Sequence, residues 1–125
     1  MVKKILADGY EAFKKIIASE NENSGNIYVL FTGSKDKNGK SWCPDCVKAD
    51  PVIEEVLKDI PEDITFITCT VGNREVWKDP KNTFRTDQDL KLKSVPTLIK
   101  WNTPKKLEEQ QLFDKDIVSM MFEDD

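Results

Sequence analysis

Cys43-Pro44-Asp45-Cys46 stands between two runs of opposite periodicity. Before it, Asn26–Thr32 is strand-like, and Ile27-Tyr28-Val29-Leu30-Phe31 is continuously apolar and β-rich. Such a run suits a central strand buried on both faces. After it, Val47–Ile60 places apolar residues at Val47, Pro51, Val52, Val56, Leu57 and Ile60, which is helical spacing. A kink is expected at Pro51, because proline removes a backbone donor. The two cysteines therefore occupy a turn from a buried strand into a helix, which restricts the chain to α/β arrangements.

The remaining elements extend that pattern. Val2–Leu6 suits a short edge strand, and Gly9–Ala18 carries Tyr10, Phe13, Ile16 and Ile17 at helical spacing. Ser19–Asn26 and Gly33–Ser41 are polar and glycine-containing, hence loops. Ile64–Thr70 is a further β-rich run, and Val71–Leu90 is a mixed stretch with one or two short helical turns. Leu92–Val95 leads through Pro96 into the strand Thr97–Trp101. A turn at Asn102-Thr103-Pro104 precedes a hairpin partner at Lys106–Gln111. Asp114 suits the N-cap of a last helix through Phe122. Parallel βαβ units are expected first, then an antiparallel hairpin and a helix.

At 125 residues the chain forms one domain, 1–125, and buries a core without metal or disulfide staples. A net charge of −4 without a long basic run argues against nucleic-acid binding. Charged residues break up the N-terminal apolar stretch before it reaches signal-peptide or membrane-spanning length. No lipidation or retention motif closes the chain, so the cytoplasm is the expected compartment. Three cysteines and no histidine leave too few ligands for a structural zinc site and exclude Cys-His catalysis.

In a strand–turn–helix setting, a Cys-x-x-Cys pair reads as a thiol–disulfide redox centre. The attacking group is a thiolate, and the amides and dipole opening a helix favour an anion at Cys43. Pro44 fits an early helical position, where its missing N–H costs nothing. Cys46 follows nearly one turn later, so Cys43 is expected as the exposed nucleophile and Cys46 as the shielded resolving thiol. Asp45 places a carboxylate between them and is expected to temper the acidity of Cys43 and to filter acidic partners. Pro96, between Val95 and Thr97, is expected to form a cis bond facing the dithiol, where the Val95 backbone pairs with a bound substrate strand. Trp42 is expected to pack beside the turn. Cys69 reads as a small buried hydrophobe. Trp77 and Trp101 read as core or edge residues. Lys35, Lys37 and Lys40 read as a solvated loop, their functional alternative being a partner-selecting rim beside the dithiol.

Cys43-Pro44-Asp45-Cys46 in this setting, followed by Val95-Pro96-Thr97, resembles the thioredoxin fold. The resemblance sharpens at Phe31-Thr32-Gly33-Ser34-Lys35-Asp36, Gly39-Lys40-Ser41-Trp42, Val71-Gly72, Trp77-Lys78-Asp79-Pro80 and Phe84-Arg85. These segments resemble the thioredoxin-related 14-kDa proteins, the thioredoxin domain-containing protein 17 type. The resemblance implies a central mixed β-sheet flanked by helices. It implies a cytosolic disulfide reductase with no bound cofactor, its electrons coming from NADPH through thioredoxin reductase. Cys43 would be the nucleophile, Cys46 the resolving thiol and Pro96 the cis-proline. Selected protein disulfides and cystine would be substrates, and peroxide-linked activity is attached to the family. A monomer is expected. Two alternatives are a redox-sensing adaptor without efficient turnover and a glutathione-dependent enzyme. Ordinary thioredoxins carry Gly-Pro between the cysteines and an acid on the preceding strand. Here Pro-Asp replaces Gly-Pro, and Val29-Leu30-Phe31 offers no acid. That leaves Asp45 or water to accept the Cys46 proton.

Overall fold

The computed structural model describes residues 2–23, 26–60 and 63–123. Five strands form one sheet in the order β1-β3-β2-β4-β5. β1 (Val2–Asp8) and β2 (Ile27–Thr32) both run parallel to β3 (Ile64–Thr70). β4 (Thr97–Lys100) runs antiparallel to β2 and pairs with β5 (Lys106–Glu108). All six residues of β2 are buried, as its unbroken apolar run predicts, because both sheet faces are covered.

Two side-chain layers cover the sheet. On one face, Val29, Phe31, Ile67 and Cys69 meet Phe13 and Ile17 of α1 (Tyr10–Asn23), Trp77 of α3 (Arg74–Lys78) and Phe84 of α4 (Thr83–Thr86). On the other, Tyr28, Leu30, Phe66 and Leu98 meet α2 (Pro44–Lys58) and α5 (Lys115–Met121). Asp114 caps α5 by accepting from the amides of Asp116 and Ile117.

Several boundaries differ from the sequence expectation: β1 runs on to Asp8, α2 stops at Lys58 and β4 at Lys100, and three differences have a visible cause or consequence. α1 continues through Asn23, where a loop from Ser19 is expected; Ser24 and Gly25 of that stretch lie outside the described residues. The extra turn is anchored from outside the helix, since Glu20 is buried and paired with Lys3 of β1 at 2.8 Å. β5 ends at Glu108 rather than Gln111, because Glu109 takes a positive φ and a 3₁₀ turn follows over Glu109–Phe113. α2 begins at Pro44, three residues before Val47, and runs on through Pro51 without a break.

Tyr10 and Asp87 tie α1 to the turn after α4. The Tyr10 hydroxyl donates to Asp87 Oδ2, and the Tyr10 ring meets Phe84 edge-on. Burial alone would raise the Asp87 carboxyl, but hydrogen bonds from Tyr10 and from the amides of Asp89 and Leu90 hold it below the usual range. The same bond to Asp87, with burial, pushes the Tyr10 phenol up to about 12. Among the described residues, no helix is long and apolar enough to cross a membrane.

Candidate redox site

Strand β2 ends at Thr32, and the chain returns to the same point eight residues after Gly33. The excursion is an ordered hairpin loop. Lys35 bridges Ser41, and the Asp36 carboxylate accepts from the amides of Asn38 (2.8 Å) and Lys40 (3.1 Å). The lysines at 35, 37 and 40 stay exposed on it.

The loop's two ends are clamped together beneath the dithiol. Ser41 Oγ donates to the Gly33 carbonyl (3.2 Å) and accepts from the Cys43 amide (3.1 Å). Trp42 lays its indole over Gly33 and donates from Nε1 to the Gly72 carbonyl at 2.9 Å. The same carbonyl accepts from the Ser34 amide, and the Gly72 amide donates back to Ser34 Oγ. Gly72 has φ +101°, and a Cβ there would meet Val76 at 2.7 Å, so both conformation and space demand glycine.

Gly33 is required by space alone. A Cβ built on it would lie 2.9 Å from Trp42 Cε2 and 3.0 Å from Ser41 Oγ. Gly33→Ala is expected to destabilise the protein by about 1–3 kcal/mol through this overpacking, outweighing the ~0.4–1 kcal/mol that alanine returns by stiffening the unfolded chain. Displacement of Trp42 should also slow disulfide exchange. Urea midpoints and exchange rates measured together check this; an unshifted midpoint would show that the indole is not seated as described.

Cys43 is the N-cap of α2, and its sulfur accepts from the Cys46 amide at 3.1 Å. Pro44 occupies the first helical turn and Asp45 follows it, half-exposed. Cys43 and Cys46 are joined in a disulfide with their Cα atoms 5.2 Å apart. The Gly33 amide donates to Cys46 Sγ at 3.4 Å. The Val95–Pro96 bond is cis, and the Val95 carbonyl oxygen lies 3.7 Å from Cys43 Sγ. Pro96 and Thr97 are fully buried behind it, with Thr97 Oγ1 donating to the Ser94 carbonyl.

One sequence expectation needs adjustment. Cys43 is not exposed in the closed pair: it is 4% accessible, against 1% for Cys46. The Val95 side of the site closes over it. Gly33, Ser41 and Gly72, which enter the sequence reading only as parts of the resemblance segments and without a role, build the platform. Only Gly33 and Gly72 carry a local signal, as glycines flanking a strand end. Cys69 is buried, and burial with the nearby Asp8 carboxylate pushes its thiol up to about 12, which leaves it unreactive.

Residues 6–124 match the family described as thioredoxin domain-containing protein 17-like, thioredoxin domain. The chain belongs to that family. It is 46% identical over 123 residues to the human thioredoxin domain-containing protein 17, covering 98% of this chain and 97% of that one. The mouse protein of that name is 50% identical over 117 residues, covering 94% and 92%. The thioredoxin-like protein Clot of Arabidopsis thaliana is 37% identical over 92 residues, covering 73% and 69%. Among solved structures, oxidised thioredoxin O1 of Arabidopsis thaliana superposes with a TM-score of 0.60 at 20% identity, covering 97% of this chain and 99% of that one. That likeness establishes the thioredoxin fold. Membership of the family, with a closed Cys43–Cys46 pair on the helix, supports redox activity of the thiol–disulfide kind.

Proposed function

We propose that the chain is a cytosolic disulfide reductase that takes electrons from NADPH through thioredoxin reductase. The observation that carries this reading is the sulfur pair itself. It closes at the first turn of α2, with a backbone amide on Cys43 Sγ and the cis Val95–Pro96 peptide against it.

The chemistry follows from that placement. In the reduced state the Cys46 amide is positioned to hydrogen-bond a Cys43 thiolate. The thiolate attacks a disulfide R–S–S–R′; the Cys43–S–S–R bond forms and R′–S⁻ leaves with a proton from solvent. Cys46 then gives up its proton, its thiolate attacks Cys43 Sγ, the ring disulfide closes and R–S⁻ departs to be protonated by solvent. Two electrons pass from the dithiol to the substrate. The Val95 backbone pairs with an extended substrate segment, as an added strand does. Trp42, Pro44 and Thr97 support the site, and Asp45 disfavours acidic partners at its entrance. Selected protein disulfides and cystine are the substrates, and the enzyme works as a monomer without a bound cofactor.

The test is steady-state reduction of cystine with NADPH and thioredoxin reductase, followed by NADPH consumption. Turnover that saturates with cystine is expected. A reducible Cys43–Cys46 disulfide without turnover would overturn the reading in favour of a redox-sensing adaptor.

A further inference from the structure

Resolution requires the Cys46 thiol to lose a proton, and β2, which leads into the Gly33 amide bonded to that sulfur, carries no acid. The structure holds a different acid nearby. Asp50 lies four residues after Cys46 on α2, and side chains at that spacing are neighbours, about 5–6 Å apart at Cβ. Asp50 lines a groove of about 620 Å³ between α2, the sheet and the loop after β2. Gly33 and Ser41 line the same groove. The Gly33 amide is bonded to Cys46 Sγ, so the groove wall is a single peptide from the resolving sulfur. No hydrogen bond or ion pair among the described residues occupies the Asp50 carboxylate.

We propose that Asp50 is the proton acceptor for Cys46, reached through the groove, when the mixed disulfide is resolved. This rests on the disulfide-reductase reading. The Cys46 S–H proton passes to the Asp50 carboxylate, directly or by one water. The resulting thiolate attacks Cys43 Sγ, and R–S⁻ leaves. Asp50 then releases its proton through the open groove, so no further reactant is needed.

The electrostatics suit that role. Burial raises the Asp50 carboxyl above the usual range, Lys35 of the loop pulls it back, and Glu54 on the next helical turn raises it again. From β1, Lys4 and Asp8 also line the groove; Lys4 is paired with Glu54 at 2.7 Å, and Asp8 accepts from Thr70. A carboxylate made more basic by burial is a better acceptor near neutral pH than an exposed one.

The experiment uses the reduced full chain and dithiobisnitrobenzoate in a single turnover. Cys43 attack releases one coloured thiolate; Cys46 closure releases the second. Asp50→Asn is expected to leave the first phase unchanged and slow the second roughly 10–100-fold near pH 6, the deficit shrinking as rising pH ionises Cys46 directly. Asp50→Glu should restore the second phase. Lys35→Met removes the cation that lowers Asp50, so its acid limb should move to higher pH. Wild-type second-phase rates in Asp50→Asn at every pH would overturn the inference while leaving the reductase reading intact. Equal slowing of both phases at all pH values would also overturn it, marking Asp50 as structural. Failure of wild type to release the first thiolate would instead sink the reductase reading.

Discussion

Cys46→Ser is expected to stall on its substrate as a covalent Cys43 mixed disulfide, and Cys43→Ser to fall to the uncatalysed background. The asymmetry follows from the site. Cys43 caps α2 beside the Val95 carbonyl, the side proposed above for an entering substrate strand, whereas Cys46 bonds the Gly33 amide. Removing the inner sulfur leaves attack intact and abolishes release, because no other thiol is within reach: the third cysteine, Cys69, is buried in β3. Intact-mass measurement after mixing each variant with cystine reads the result. Cys46→Ser should gain one half-cystine, and Cys43→Ser should gain nothing. An adduct on Cys46 in the Cys43→Ser protein would reverse the assigned order of the two sulfurs.

The site was legible in the sequence to the extent that its chemistry is local. Two cysteines, the proline between them and a following helical period are enough to place a sulfur at a helix N-terminus, and the structure puts Cys43 there. Of the residues that act across the fold, the cis Val95–Pro96 peptide against Cys43 was expected, but others left no such trace. Trp42 reaches Gly72, thirty positions on, and Lys3 holds Glu20 to extend α1 through polar residues that carry no apolar period. Asp50 reads as an ordinary polar position on an amphipathic helix until the sheet and the loop after β2 wall it in. The burial of Cys43 has the same origin, since the cover comes from Val95, more than fifty residues away. Strand β2 was readable because burial on both faces writes itself into an unbroken apolar run. The short helices α3 and α4 were readable only as one or two helical turns within Val71–Leu90, without bounds, because their starts are set by single caps, Asn73 and Asn82, within a mixed stretch.

Phe31→Ala is expected to cost about 3–5 kcal/mol, the range for deleting a fully buried aromatic ring. Phe31 is inaccessible to solvent and sits on β2 between Cys69 of β3 and Thr97 of β4. Its ring meets Phe13 at 5.4 Å and Phe84 at 5.8 Å, both edge-on, so one side chain links the sheet to α1 and α4. Collapse around the cavity is restricted, because Phe13 is held in turn by Trp101 and Phe84 by Tyr10. A domain of this size is stable by only about 5–15 kcal/mol, so the loss would take a large share of the total. The urea midpoint should fall with the slope unchanged, as for a change confined to the folded core. Phe31 also lies two residues before Gly33, whose amide touches Cys46 Sγ. Disulfide exchange should therefore survive at low temperature, where the variant is folded, and fail on heating well before wild type. A loss under about 1 kcal/mol would mean that α1 and α4 do not pack on this ring, and the aromatic cluster would have to be redrawn.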